Sequence, residues 1–90
     1  MVKVIVTEHA QSRISERGGN RSAIVSAVNQ AAPKILAACI RSRNRRVALT
    51  SPEFPTVPIV ELSPRDHGLG FVVITVLPNL PINKHPVVAV

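Results

Sequence analysis

Four side chains that could carry out chemistry together recur at helical spacing near the start of the chain: His9, Arg13, Glu16 and Arg17. Successive residues of an α-helix are rotated by about 100°, so these side chains would share an arc of about 100° on one helix. Histidine titrates near neutral pH and transfers protons, whereas the planar guanidinium of arginine binds two phosphate oxygens at once. The pattern therefore predicts a site that moves protons beside a bound phosphate group.

The flanking residues predict a short helix that holds these side chains. Thr7 can accept hydrogen bonds from the first free N–H groups, and Glu8 suits the positive end of the helix. Gly18 and Gly19 favour the left-handed conformation that commonly ends a helix. Residues 2–6 are rich in Val and Ile, which predicts a strand leading into this helix.

A second helix is predicted over residues 21–32, with Asn20 as its capping residue and Pro33 as its end. Its apolar positions recur at intervals of three and four residues, which predicts a stripe that faces the core: Ile24, Ala27, Val28 and Ala31. Two helices joined by so short a connection are predicted to pack as an α-hairpin.

After Pro33 the sequence is typical of strands. Runs of apolar and β-branched residues predict four of them, over 35–40, 46–50, 56–62 and 69–77. The polar segment 41–45 is predicted to be the hairpin turn between the first two, and Pro58 predicts an edge position or a bulge in the third. Residues 63–68 predict a turn, and the long apolar strand after it should be central and covered by the helices.

The predicted fold class is α+β: a short N-terminal strand, a two-helix hairpin, and a mainly antiparallel sheet of about four strands. Residues 1–78 are expected to form one domain, because a chain of 90 residues can bury a single modest core. The Pro-rich residues 79–90 are either a C-terminal arm or an added strand. Their Val-rich end could pair with a second copy of the chain to form a homodimer.

Positive charge is concentrated in one stretch of the chain. The formal net charge is +6, and four arginines fall close together in sequence: Arg41, Arg43, Arg45 and Arg46. Such a cluster favours a phosphate backbone, an anionic surface or an acidic protein partner, and these four residues are predicted to bind nucleic acid. The alternative interpretation is a solvated loop that keeps the protein soluble.

Composition excludes several classes of site and location. A single cysteine, Cys39, rules out an internal disulfide and a multi-cysteine zinc site, and it is expected to be a small buried residue. His9, His67 and His85 lack the spacing of metal ligands, so no metal and no cofactor are expected. No apolar run reaches the ~20 residues that span a membrane, and no signal-peptide core is apparent, so a cytoplasmic protein without a membrane partner is expected.

The opening T-E-H-A-Q-S-R-I-S-E-R-G, a helix over 23–31 and the late segment V-V-I-T-V-L-P resemble small bacterial and phage domains that begin His-Ala-x-x-Arg-x-x-x-Arg-Gly. Those domains are loosely similar to the barnase–EndoU–colicin–RelE-like group of ribonucleases, which includes many toxins and places two helices before an antiparallel sheet. The resemblance implies that His9, Arg13 and Arg17 belong to an active site, together with Thr75 on the last long strand. The chain departs from that group in lacking the aromatic residues that stack on bases.

RNA cleavage without a metal needs a base for the 2′-hydroxyl proton, an acid for the leaving oxygen, and cations for the charged phosphorane. His9 could act as one proton carrier, with Arg13 and Arg17 as phosphate clamps. Three residues are candidates for the second proton carrier: Glu16, His67 and His85.

The sequence leaves three functions open. The first is an RNA-directed protein, in its sharpest form a metal-independent endoribonuclease of toxin type whose protein partner would be an antitoxin. The second is a non-catalytic interaction protein of a phage or mobile element that binds a host protein or nucleic acid. The third is nucleic-acid binding alone, through the Arg41–Arg46 segment and the basic face of the first helix.

Overall fold

Five strands and two helices make up the part of the chain that the computed structural model describes, residues 3–65, 68–78 and 84–90. In chain order they are β1 (Lys3–Val6), α1 (Glu8–Glu16), α2 (Arg21–Ser42), β2 (Arg46–Thr50), β3 (Val57–Arg65), β4 (Gly68–Leu77) and β5 (Val87–Ala89). A strand, two helices and then a sheet is the expected order, and the α+β class is confirmed.

The strands form one mixed sheet in the order β1-β4-β3-β2-β5. β3 is antiparallel to both of its neighbours, β4 and β2, whereas the outer strands β1 and β5 run parallel to theirs. The number of strands therefore matches the expected N-terminal strand plus four, although residues 35–40 are not among them, and the sheet is antiparallel only at its centre. The added strand is formed by residues 87–89, and residues 79–83 lie outside the described part of the chain.

Helix α1 begins and ends where its capping residues predict. The Thr7 hydroxyl accepts a hydrogen bond from the backbone N–H of Ala10 at 3.0 Å. At the other end Gly18 has a φ of 75°, and the N–H of Gly19 donates to the Ile14 carbonyl at 2.9 Å. This left-handed turn satisfies one of the last free carbonyls of α1 and redirects the chain into α2.

Helix α2 continues through Pro33 to Ser42, so the predicted helix end at Pro33 and the predicted strand over 35–40 are wrong. A proline inside a helix costs about 3 kcal/mol, because its ring removes one hydrogen bond and crowds the preceding turn. Pro33 is exposed, and the continuing helix buries small and apolar side chains over its whole length: Ile24, Ala27, Val28, Ala31, Ala32, Ile35, Ala38 and Cys39. Burying one isoleucine is worth about 1.5–3 kcal/mol, so Ile35 and its neighbours offset the proline.

The segment 41–45, predicted as a hairpin turn, instead ends α2 and leads into β2. Arg43 has a φ of 55°, and this left-handed residue lets the N–H of Asn44 donate to the Cys39 carbonyl at 3.2 Å. The side-chain oxygen of Asn44 then accepts a hydrogen bond from the N–H of Arg46 at 3.0 Å, which fixes the start of β2. A helix-to-strand corner replaces the expected strand-to-strand turn because residues 35–40 are helical.

The other predicted strands are present, and two of them are longer than predicted. β3 extends to Arg65, and β4 is the longest strand, inside the sheet and in contact with α1 as expected. Pro58 lies in an interior strand rather than at an edge, but a bulge interrupts the β3–β4 pairing directly after Ile59. The predicted turn over 63–68 is mostly strand, and its residues 66 and 67 lie outside the described part of the chain.

Both helices pack on the same face of the sheet and form an aliphatic core with it. The sheet residues in this core come largely from alternate positions of each strand: Val47, Leu49, Val60, Phe71, Val73, Val76 and Val88. Ala10 and Ile14 of α1 complete the cluster together with the buried stripe of α2. By length and composition α2 could cross a membrane, but its buried stripe is also typical of the core helix of a globular domain.

Candidate functional site

The polar stripe of α1 faces solvent, and part of its charge already has a partner. Arg13 and Glu16 form an ion pair, with 2.9 Å between Nη1 and Oε2, and their side chains are 40% and 54% exposed. An exposed pair at this spacing contributes about 0.3–0.5 kcal/mol to stability. His9 is exposed on the same helix, one turn before Arg13. The predicted stripe therefore exists as a surface, but Arg13 contacts its neighbour on the helix.

Arg17 is bound to the sheet. Its guanidinium Nη1 donates to the backbone carbonyl of Val76 at 2.5 Å. β1 pairs with β4 from Gly70 to Val73, and Val76 lies beyond that stretch. The guanidinium thus supplies a hydrogen-bond donor where the neighbouring strand has ended, which a partly buried carbonyl requires. Arg17 is part of the joint between the end of α1 and β4.

Thr75 lies beside a β-bulge in β4, where the pairing with β3 leaves Ile74 as an extra residue. Val73 and Val76 are both buried in the helix-covered core, although regular alternation would put residues three apart on opposite faces. The extra residue accounts for this shift. Thr75 therefore lies on the face of the sheet that points away from the helices.

The structure does not place all four residues that the resemblance implies on one surface. His9 and Arg13 lie on the outer side of α1, and Arg17 is hydrogen-bonded to the Val76 carbonyl of β4. Thr75 is on the opposite face of the sheet, half-buried in β4. What the geometry shows at α1 is a basic surface and a structural arginine.

The two described candidates for the second proton carrier, Glu16 and His85, also lie apart from His9. Glu16 is paired with Arg13, two turns away from His9. His85 precedes β5, and the strands β3 and β2 lie between β5 and the strand that α1 contacts. His67 lies outside the described part of the chain.

Replacing Arg17 by methionine should lower the free energy of unfolding by about 1.5 kcal/mol, the lower end of the range for hydrogen bonds made by charged groups. Methionine keeps most of the aliphatic stem but leaves the Val76 carbonyl without its donor. Arg13→Met is the matched control, because it removes an exposed ion pair and should change stability by less than about 0.5 kcal/mol. Chemical denaturation measures both free energies of unfolding. Equal losses of stability in the two variants would contradict the structural role of the Arg17 hydrogen bond.

The predicted arginine cluster forms a surface at the junction of α2 and β2. We call this surface the basic corner, and it consists of Arg41, Arg43, Arg45, Arg46 and Lys84, all of them exposed. Arg46 has an acidic partner, with 2.8 Å between its Nε and Oε2 of Glu61. Among residues 3–65, 68–78 and 84–90, no acidic side chain pairs with the other four.

Lys84 joins the basic corner because β5 pairs in parallel with β2. Parallel neighbours begin at the same end of a sheet, so the residues before β5 lie beside Arg46 at the start of β2. The pKa of His85 reflects this arrangement: burial lowers it, and the positive charges of Arg46 and Lys84 lower it further. The lowered pKa favours the neutral imidazole of His85 over its charged form.

Part of this charge has a structural explanation, but Arg43 and Arg45 do not share it. The C-terminal end of a helix carries partial negative charge, which favours a cation in the last turn by about 0.3–1 kcal/mol. Arg41 occupies that turn of α2, and Arg46 is paired with Glu61. Arg43 holds a left-handed conformation that costs a residue other than glycine about 1 kcal/mol. Backbone geometry alone would favour glycine or asparagine there.

Comparison of the chain with protein-family models, with curated protein sequences and with solved structures finds no match. In the described part of the chain, no group of three or more His, Cys, Asp or Glu residues could hold a metal ion.

Proposed function

We propose that this protein binds RNA through the basic corner. The observation that carries the proposal is the pair Arg43 and Arg45, exposed at a helix–strand junction and without an acidic partner in the described residues. A guanidinium binds phosphate oxygens as a bidentate fork, and clustered cations release counterions from a polyanion when they bind it. A junction between two packed elements also fixes the backbone that carries these side chains, which lowers the ordering cost of binding.

The expected mode of binding is contact with the phosphate backbone rather than with the bases. Base stacking needs exposed aromatic rings, and the chain has two phenylalanines and no tyrosine or tryptophan. Phe71 is buried in the core, and Phe54 is packed against it. We therefore expect little sequence preference, and an RNA-binding role agrees with the cytoplasmic location expected from the sequence.

The proposal is tested by titrating a fluorescent oligouridine of about 12 nucleotides, within the usual site size of such binders, with the purified protein. If three or four cations contact phosphates, the logarithm of the association constant should fall against the logarithm of salt concentration with a slope of about −2 to −3. Fluorescence anisotropy at several salt concentrations measures this slope. A flat salt dependence, or no binding at about 50 mM salt, would sink the proposal.

RNA cleavage is a narrower proposal and rests on His9, the exposed imidazole beside Arg13 on α1. The same RNA samples test it, because cleavage by His9 should disappear in His9→Ala while RNA binding at the basic corner persists. Gel analysis of the RNA after incubation from about pH 5 to pH 8 covers the range in which an imidazole changes its charge. If the RNA stays intact in the presence of the folded protein, cleavage is rejected and the non-catalytic alternative remains.

A further inference from the structure

An open groove with a volume of about 360 Å³ runs between α2 and the outer strand β5. Its lining residues include Lys34, Ala37 and Arg41 of the helix and Val87, Val88 and Ala89 of the strand. Because β5 is the last strand in the sheet order, the groove lies along an edge of the sheet. An edge strand beside a groove is a place where an extended chain can bind.

Within the described residues, no strand pairs with the outer edge of β5. On the inner side, the Pro86 carbonyl accepts from β2 and the N–H of Val90 donates to β2, both at 2.8 Å. Successive residues of a strand point their backbone groups to opposite sides, so Val87 and Ala89 point theirs away from β2. Their two donors and two acceptors have no strand partner within the described residues.

The groove combines a small apolar floor with positive charge at both ends. Ala37 is exposed and has no side chain beyond Cβ, so a bound strand could approach the helix closely. Lys34 and Arg41 are also exposed and lie on the same side of α2, about 10.5 Å apart along the helix axis. Large apolar side chains exposed in the described residues include Val87 and Val90 at this same edge.

We propose that this groove binds an extended acidic segment of a partner protein, which adds to β5 as a further strand. Backbone hydrogen bonds to Val87 and Ala89 provide affinity that is independent of sequence. Carboxylates of the segment pair with Lys34 and Arg41, and this charge complementarity selects an acidic sequence. The groove shares Arg41 with the basic corner, but the inference does not depend on RNA binding, because Lys34 and the β5 edge lie outside that corner.

The dimensions of the groove predict the spacing of the acidic residues. Every second residue of an added strand would face α2, and residues four apart in a strand are separated by about 13 Å. That distance is similar to the separation of Lys34 and Arg41 along α2. The long side chains of these two residues can reach across the remaining difference. The preferred segment therefore has acidic residues at its first and fifth positions and a small apolar residue between them, beside Ala37.

A second copy of this chain fits the edge less well than an acidic segment does. Pairing two copies through β5 would bring like charges together, since each copy has basic groove residues and a net charge of +6. The strand has three residues, and so short an edge falls well below the area of about 1,200 Å² that a stable protein interface buries. A peptide strand has no such area requirement, and its carboxylates complement the groove.

The test uses the full chain and a fluorescent, end-blocked peptide of sequence Thr-Glu-Val-Ala-Val-Glu-Thr. Anisotropy should show saturable binding, and the same peptide with lysine in place of both glutamates should bind at least about tenfold more weakly. The double variant Lys34→Glu/Arg41→Glu should reverse this preference. No binding of the acidic peptide, or equal affinity for the two peptides, would overturn the inference.

A matched pair of variants at Ala89 separates strand addition from simple charge attraction. Ala89→Pro removes the outward N–H but keeps the bonds to β2, and it should weaken peptide binding about tenfold. Ala89→Val keeps the N–H and should stay within about twofold of the unmodified chain. Circular dichroism checks that both variants are folded, so equal affinities would mean that charge alone holds the peptide.

Two further results would assign this edge to another occupant and overturn the inference. Sedimentation that shows a dimer, disrupted by Ala89→Pro, would make a second copy of the chain the occupant. Displacement of the peptide by oligouridine, with the same sensitivity to Ala89→Pro, would make RNA the occupant. Failure of RNA binding in the salt titration leaves the peptide result unaffected, so the two proposals can fail separately.

Discussion

Replacing Ile35 by alanine should lower the free energy of unfolding by about 3 kcal/mol, within the usual range for truncating a buried isoleucine. Ile35 is 0% exposed and lies two residues after Pro33, in the second half of α2. The truncation removes apolar surface from the core and leaves a cavity that a close-packed interior closes only in part. A loss of this size would show that the helix after Pro33 is a core element.

Ile40→Ala is the matched control, because it makes the same chemical change on the same helix. Ile40 is 69% exposed, so its truncation should change stability by less than about 0.5 kcal/mol. Urea denaturation followed by circular dichroism measures both values on one scale. Similar losses at Ile35 and Ile40 would contradict the packing of α2 against the sheet.

Two neighbouring alanines distinguish a helix from a strand over residues 35–40. In the helix Ala38 is buried with Ile35, whereas Ala37 is exposed. An alternating strand would instead put Ala37 on the side of Ile35. Introducing aspartate at Ala38 should therefore unfold the protein, while the same change at Ala37 should be tolerated.

The contrast between the two helices shows which features of the fold are local. Helix α1 could be predicted because its signals are adjacent in sequence: Thr7 caps its first turn, and Gly18 closes its last. The rule that proline ends a helix is local in the same way, since it counts one lost hydrogen bond and one steric clash. At Pro33 that cost competes with the burial of a whole helix face against the sheet, which no local pattern reports.

The functional surfaces also combine features that are visible in the local sequence with features that depend on long-range packing. The arginines of the basic corner are visible as a cluster in the sequence, but Lys84 joins them only through the parallel pairing of β5 with β2. Arg17 has the spacing of a phosphate clamp, yet its partner is the Val76 carbonyl 59 residues away. The position of Thr75 depends on a bulge in the pairing of two strands. Each of these facts is set by long-range packing, so residue types at helical spacing could not predict it.

Neutralising two arginines of the basic corner, in the variant Arg43→Gln/Arg45→Gln, should weaken binding to oligouridine about tenfold or more at ~100 mM salt. The slope of the salt dependence should become shallower by about 1.4, which corresponds to two fewer phosphate contacts on a single strand. Both side chains are exposed and unpaired with any described acid, so their loss should leave the fold intact. Anisotropy titrations at several salt concentrations give the affinity and the slope together.

The control that makes this result interpretable is Lys3→Gln/Arg21→Gln, which removes the same net charge elsewhere. Lys3 begins β1 at the far edge of the sheet, and Arg21 begins α2, about 30 Å along the helix from the basic corner. Because both double variants carry the same net charge, a difference between them reports location alone. A gap of about tenfold assigns binding to the helix–strand junction. Equal weakening would mean that the affinity for RNA depends on net charge alone. The basic corner would then be the solvated loop of the alternative interpretation.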